Sequence, residues 1–395
     1  MGRIYFDYHS TTPLDPRVFA VMEPYFRERF GNSSSGDHAY GWEAEEAVDR
    51  ARHQVAQALG VEGREVIFTS GATEANDLAI AGSFEAPNRG GSHLIISAVE
   101  HKSVLKTAAY LEGRGATVTC LPVDEEGRVP PQTVAAAITN ETWLVSIMAA
   151  NNEIGTIQPI SEIAAICRAR GVLCHSDAVQ ALGKIPFDVR SVGVDMASFS
   201  AHKLCGPKGI GALVVTDGAR DRLVRRVHGG NQESGLRSGT ANVPAIVGFG
   251  RACELAVAER EAEAQRVSAL RDRLHATLRA ALPELFLNGP SEDRLPGNLH
   301  LSFRCVEAES LALSLEDVAV STGSACTSAD NEPSHVLTAV GRTDDLLHGG
   351  IRFGLGRYTT EQETDEVARR VIAAVERLRS LSPLWAQVTQ HPASP

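Results

Sequence analysis

Between residues 65 and 216, short apolar runs alternate with helix-like segments, and this alternation constrains the fold more than any other feature of the chain. Strands are expected at Glu65–Thr69, His93–Ser97, Thr117–Pro122, Trp143–Ala149, Val172–Ser176, Met196–Ser200 and Gly211–Thr216. Helices are expected between several of them, as at Lys102–Glu112, Pro131–Ile138 and Ile160–Arg170. Alternating β and α units imply an α/β fold, a largely parallel sheet with helices on both faces. Ligands of such sheets sit outside the carboxyl ends of the strands. Polar motifs directly after a strand are therefore the place to look for chemistry.

A chain of 395 residues exceeds one ordinary core, so a large domain and a smaller one are expected. An amphipathic stretch from Pro244 to Ala281, charge-rich from Glu259 to Arg273, reads as the link between them. Beyond it come a strand at Asn298–Phe303, a short strand near Ile351–Phe353 and a last helix from about Glu361 to Leu381. The expected division gives residues 13–258 to the large domain, and 1–12 with 259–395 to the small one. Lys and Arg number 38 against 49 Asp and Glu, a formal charge of −11, which argues against nucleic acid as the ligand. Seven cysteines, an odd number with no C-x-x-C pair, suit a reducing compartment. The N-terminus shows no signal-peptide core and no apolar run reaches membrane-spanning length, so a cytoplasmic protein with no membrane partner is expected.

Lys203 lies in Ser198-Phe199-Ser200-Ala201-His202-Lys203-Leu204-Cys205-Gly206-Pro207, between a histidine and a Gly-Pro turn and just past an expected strand. A surface lysine would sit in a charged, helix-forming context. This setting suits a lysine that forms a Schiff base with pyridoxal phosphate, which must lie close to the aldehyde and have its pKa depressed. Ser70-Gly71-Ala72-Thr73-Glu74, at a strand-to-helix turn, could offer backbone N–H groups to the cofactor phosphate. The alternative there is a helix cap with Thr73 as the capping hydroxyl. Asp177 ends an apolar strand, where an unpaired carboxylate is costly. Bonded to the pyridine nitrogen it would keep that nitrogen protonated, and Gln180 could reach the ring hydroxyl. A capping Asp is the alternative. A metal site with Cys174 and His175 is disfavoured, because strand alternation splits the three residues between two faces.

His101 follows another strand and could stack on a flat cofactor and move protons, or simply cap a helix. Asn152, in a loop Asn-Asn, reads first as turn chemistry. Arg352, between apolar neighbours in a short strand, suits a bidentate grip on a carboxylate, whether structural or on a substrate. Cys326 lies in Ser321-Thr322-Gly323-Ser324-Ala325-Cys326-Thr327-Ser328-Ala329-Asp330, a run without one bulky side chain. That context suits a nucleophile able to travel, with an idle thiol as the alternative.

Taken together these segments resemble the cysteine desulfurases of the iron–sulfur cluster assembly type, within the class V aminotransferase superfamily of fold-type I pyridoxal phosphate enzymes. The likeness runs through Phe6-Asp7, Thr11-Thr12-Pro13, Phe30 to Ser34, Thr69 to Glu74, Glu100-His101-Lys102, Asn151 to Gly155, Asp177 to Gln180, Ser200 to Lys203, Arg237 to Thr240 and Ser324 to Ser328. The Cys326 segment, about residues 321–333, is similar to the long-loop subgroup. The resemblance implies a large domain with a mainly parallel seven-stranded sheet and a smaller α+β domain. It implies that Lys203 carries the cofactor, Asp177 pairs with the pyridine nitrogen, Gln180 with the phenolic oxygen, and His101 stacks on the ring. Ala72, Thr73, Ser200 and His202 would hold the phosphate, with Thr240 reaching it from the second subunit of a homodimer. Asn152 and Arg352 would hold the substrate carboxylate. Cys326 would take sulfur from L-cysteine as a persulfide, leaving L-alanine, and pass it to an acceptor protein such as an iron–sulfur scaffold. No resident metal is expected, with Cys326 at most a transient cluster ligand. Alternatives on the same scaffold are a selenocysteine lyase or a class V aminotransferase; a sulfur carrier without catalysis is the reading from another class.

Two departures from the usual pattern stand out. His9-Ser10 replaces small or Asn residues ahead of Thr11-Thr12, and Ser234 stands where Arg is usual. Neither is expected to touch the chemistry. The end after Ser382-Pro383-Leu384-Trp385 also differs from the tail of scaffold-docking relatives.

Overall fold

The structure, a computed structural model, describes residues 2–322 and 333–390. In chain order its strands are β1 (Ile4–Tyr5), β2 (Val66–Thr69), β3 (His93–Ser97), β4 (Thr117–Leu121), β5 (Thr142–Ser146), β6 (Leu173–Asp177), β7 (Met196–Ser200), β8 (Gly211–Val215), β9 (Leu285–Leu287), β10 (Asn298–Phe303), β11 (Val318–Ala319), β12 (Ser321–Thr322) and β13 (Gly350–Gly354). Seven of them form the main sheet in the order β2-β8-β7-β6-β5-β3-β4. Only β8 runs against its neighbours; the other pairings are parallel.

The alternation of side chains along each strand explains why this sheet is covered on both sides. Ile95, Val145, Cys174, Ala197 and Phe199 enter one core with the Ala39–Leu59 helix. Leu94, Ile96, Leu144, Leu173 and Met196 point the other way, into a core with the Ala72–Phe84 and Lys102–Glu112 helices. The expected strand at Trp143–Ala149 is shorter, but its extended course continues: Ile147 N–H donates to His175 O at 3.1 Å and Ala149 N–H to Asp177 O at 2.9 Å.

The stretch read as a link is one helix, Val243–Ala281, capped by the Asn242 side chain with Pro244 in its first turn. At 1.5 Å per residue it spans about 58 Å. Ile246, Phe249 and Cys253 pack into the main-sheet core, whereas Val267, Leu270, Leu274 and Leu278 pack into another. That second core lies against the antiparallel sheet β12-β13-β10-β9 and the Glu361–Leu381 helix, which starts on a Thr360/Glu363 capping box. The first residues belong to it as well. Phe6 is fully buried there, and β1 pairs in parallel with β11. Gly354 permits this approach, because a Cβ on it would lie 2.9 Å from Tyr8 N. A further helix, Pro383–Gln390, follows the one expected to be last. The six described cysteines are free, and no helix among the described residues is long and apolar enough to cross a membrane.

Candidate active site

The carboxyl ends of β2, β3, β6 and β7 converge on one cleft. After β2 the chain turns at Gly71, which occupies the N-cap of the Ala72–Phe84 helix and offers no side-chain cap. Thr73 is therefore exposed in the first turn and is not the capping hydroxyl. The open N–H groups of a helix N-terminus favour an anion. An ideal Cβ on Gly71 would sit 3.9 Å from Ser200 Oγ, so the end of β7 faces this turn. The turn is pinned from outside: Glu74 accepts from Ser70 N–H at 2.8 Å and pairs with Arg237 at 2.8 Å.

Asp177, the buried last residue of β6, accepts from Val179 N–H at 3.1 Å and from Asn76 Nδ2 at 2.8 Å. Asn76 also donates to Ser103 Oγ at 2.9 Å, and Ser103 Oγ lies 2.8 Å from His101 Nδ1. His101 caps the Lys102–Glu112 helix by accepting from Ser103 N–H, so its Nδ1 is bare and its Nε2 carries the proton. One chain of bonds thus joins Asp177, Asn76, Ser103 and His101. The imidazole stands in the cleft, where surrounding protein lowers its pKa; Asp177 opposes that shift and Lys203 adds to it.

Lys203 closes the short turn after β7. Thr12 fastens that turn: its N–H and Oγ1 both donate to His202 O, at 3.0 and 2.8 Å, and its Oγ1 accepts from Cys205 N–H at 2.8 Å. Lys203 Nζ donates to His9 O and Ser10 O, each at 2.5 Å. His202 bonds Thr11 Oγ1 through Nδ1, and burial with Lys203 nearby lowers its pKa to about 4. It is neutral at pH 7, a donor rather than a charge.

Gln180 is buried and engaged with His9, whose Nδ1 lies 3.1 Å from Gln180 Oε1. The expectation that the His9-Ser10 replacement stays clear of the chemistry is overturned. The chain leaves β1, crosses beside Gly354 and carries His9 into the cleft, where it meets both Gln180 and Lys203. Ser234 is exposed, in the left-handed region at φ 53°, away from these residues.

The fourth side of the cleft is Arg352 on β13. It donates to Asp7 at 2.8 Å, to Ser321 Oγ at 2.9 Å and to Asn152 O at 3.0 Å, while its buried Nε has no partner among the described residues. The structure thus gives Arg352 a structural carboxylate, Asp7. Asn151, not Asn152, is the turn residue: its Oδ1 takes the N–H groups of Glu153 and Ile154, and its Nδ2 reaches Val99 O. Behind the two Asn, Glu153 is buried and accepts from Ser334 Oγ; burial pushes it up to about 7 despite that bond and Arg352. Glu100, beside His101, is pushed by burial up to about 8. Thr240 is exposed, and no hydrogen bond ties it to the cleft among the described residues. Cys326 lies outside the described residues.

Sequence reasoning missed Asn76, Ser103 and His9. Asn76 had a signal, a buried polar residue in an apolar helix face four residues past the Ala72 turn.

Residues 4–367 match the family model of the class-V aminotransferases. A cysteine desulfurase IscS of Anaeromyxobacter sp. (strain Fw109-5) is 54% identical over 387 residues, covering 98% of this chain and 96% of that one. The chain belongs to the class-V aminotransferases, among the cysteine desulfurases. A solved NifS-like protein superposes with a TM-score of 0.89 at 39% identity, covering 95% of this chain and 100% of that one. A structure of SspA in complex with cysteine gives 0.80 at 36% identity, covering 90% and 100%. The cysteine desulfurases of this family depend on pyridoxal phosphate, and the cleft fits it. An uncapped helix N-terminus suits the phosphate, a buried carboxylate suits the ring nitrogen, and a lysine lies on the rim.

Proposed function

We propose that this desulfurase acts on L-cysteine, releases L-alanine, and stores the sulfur as a persulfide on Cys326 for an acceptor protein such as an iron–sulfur scaffold. The observation that carries the reading is Arg352, a guanidinium on β13 held by Asp7 and Ser321 and close enough to the cleft that its charge and that of Lys203 act on the same His9 imidazole. Ala72, Thr73, Ser200 and His202 would hold the cofactor phosphate, joined by Thr240 from the second subunit of a homodimer. Asp177 would hold the pyridine nitrogen, Gln180 the ring oxygen, and His101 the ring face. Bound pyridoxal phosphate supplies an electron sink for the substrate α-carbon.

The chain's own residues do the rest. Arg352, steadied by Asp7 and Ser321, would fix the substrate carboxylate together with Asn152. That grip sets which way the substrate sulfur points. Lys203 would carry the proton to and from the α-carbon. The Cys326 thiolate would attack the substrate sulfur: an S–S bond forms, the C–S bond breaks with its electron pair left on the substrate β-carbon, and that carbon takes up a proton so that the fragment leaves as alanine. Residues 13–258 would act as the cofactor-binding unit and 1–12 with 259–395 as the unit bearing the cysteine segment, in a cytoplasmic homodimer.

The test is mass mapping after a short L-cysteine pulse and thiol alkylation. One extra sulfur on the Cys326 peptide, with alanine released, is the expected result. An unmodified Cys326 with cysteine consumed, or Cys326→Ala with sulfur release intact, overturns it in favour of another reaction on the same scaffold.

A further inference from the structure

Gln180 offers one amide oxygen and two N–H groups. The oxygen accepts from His9 Nδ1 at 3.1 Å and from Lys184 Nζ. One N–H is given to the His9 main-chain oxygen at 3.1 Å. His9 thus holds both ends of the same amide, one end with its ring and the other with its backbone. A flipped amide would set its N–H groups against the Lys184 ammonium and the His9 N–H, and its oxygen against a carbonyl. The orientation is therefore unambiguous, and it leaves a single N–H of Gln180 to donate elsewhere.

The ring of His9 has a fixed protonation pattern as well. Since Gln180 Oε1 can only accept, His9 Nδ1 carries the proton. Its Nε2 is buried with no partner among the described residues, and the residue is 2% exposed. The groups facing it are basic side chains from three elements: Lys184 past the end of β6, itself pushed by burial down to about 7, Lys203 past β7, and Arg352 on β13. Burial comes first and these charges second in pushing the imidazole well below its ordinary range, so no N–H is stranded at Nε2. His9, Lys184 and Lys203 line one cavity of about 50 Å³.

We propose that His9 is a positioning residue that locks the Gln180 amide, so that its remaining N–H faces the ring oxygen of the bound cofactor. This rests on the reading of Gln180 as a cofactor contact. A small side chain at position 9 would keep the backbone bond but lose the ring's donor on the amide oxygen, and the amide would be free to turn. An N–H aimed at an anionic ring oxygen lowers the proton affinity of the site around it. Losing that alignment raises it.

The experiment is a pH titration of the visible absorption of the bound cofactor in purified holoenzyme. It compares wild type, His9→Leu, His9→Ala, His9→Asn, Gln180→Ala and the His9→Leu/Gln180→Ala double variant. His9→Leu fills the space His9 leaves and serves where His9→Ala does not fold. Gln180→Ala is expected to raise the midpoint, and His9→Leu to raise it by about half a pH unit, roughly threefold in proton affinity. In the Gln180→Ala background His9→Leu adds nothing. His9→Asn, which keeps an N–H donor, stays closer to wild type than His9→Leu. A wild-type midpoint in His9→Leu, or an equal shift with and without Gln180, overturns the role of His9 alone. A midpoint unmoved by Gln180→Ala overturns the reading of Gln180, and this proposal with it.

Discussion

On the parallel sheet, Asp177 and His101 are each steadied by a residue two positions on, Val179 and Ser103, with Asn76 bridging them. On the antiparallel sheet, Arg352 is steadied by Asp7 and Ser321, which reach it from sequence separations of 345 and 31 residues. Around Asp177 and His101 the first rim is framed by its own strand and helix ends, with Asn76 between them; Lys203, bonded to His9 and Ser10, also draws on the N-terminal segment. The second exists only once the N-terminal segment has crossed to β13. One half of the site is thereby stiff by local construction, and the other depends on distant segments meeting. Substrate grip and cofactor grip should then fail separately when mutated.

The largest effect is expected at Lys203, on the cofactor side of the cleft. Lys203→Ala should lower alanine release by at least about 10³-fold, because the proposed tether and base would both be lost. Bound cofactor in that variant should be removable by dialysis. Arg352→Lys tests the other rim. It keeps the charge but loses the planar fork and its bond to Asp7, so kcat/KM should fall about 10- to 100-fold, mainly through KM. Asp7→Asn should do the same more weakly, about tenfold, while leaving cofactor absorption unchanged. A fall in kcat without a rise in KM for either variant would erase the distinction between the two rims.

A smaller effect is expected at the bridge. Asn76→Ala removes one donor from Asp177 and one from Ser103, leaving a buried carboxylate short of a partner. About a tenfold loss in kcat is expected with KM nearly constant, together with a changed cofactor spectrum, since Asp177 no longer holds its position. Wild-type kcat and spectrum would show that the bridge is only packing.

The parts of this arrangement that sequence revealed share a cause. Lys203, His101 and the Gly71 turn each come just after a buried strand and Asp177 ends one, where local pattern and fold rule coincide. Asn76 and His9 act across space on residues that a motif marks, Asn76 showing only as a polar residue in an apolar helix face; Ser103 sits two residues from His101, but its bond to Asn76 has no local sign. His9 was visible as a departure from pattern but not as a contact, because the crossing that brings it to Gln180 is set by the β1 pairing and by Gly354. The same holds at the far end. The Pro383–Gln390 helix follows a proline break, and Arg379 lies over the Trp385 ring at 4.0 Å, a contact that the short apolar stretch does not signal.

The comparison can also be sharpened through the two buried acids behind the cleft. Glu100 stands beside the stiff rim, with Ser97 and Met148 N–H on one carboxyl oxygen and no partner on the other. Glu153 stands behind Arg352 and is tied to Ser334. Burial raises them to about 8 and about 7, against an ordinary value of 4.5. In the folded chain both therefore hold a proton at pH 6, where the unfolded chain has released it. Folded protein binds more protons than unfolded across this window, so stability from these groups is fully present below pH 4.5 and declines as pH rises. The decline should end near pH 7 for Glu153 and near pH 8 for Glu100, each contributing a slope of at most about 1.4 kcal/mol per pH unit. Urea unfolding from pH 5 to 8 measures it. Glu153→Gln and Glu100→Gln keep the shape and cannot ionise, so each should flatten its part of the slope. Glu153→Gln should end its effect a unit earlier than Glu100→Gln. Wild-type slopes in both variants would mean that the two carboxyls are ionised in the folded protein, with Arg352 rather than burial governing Glu153.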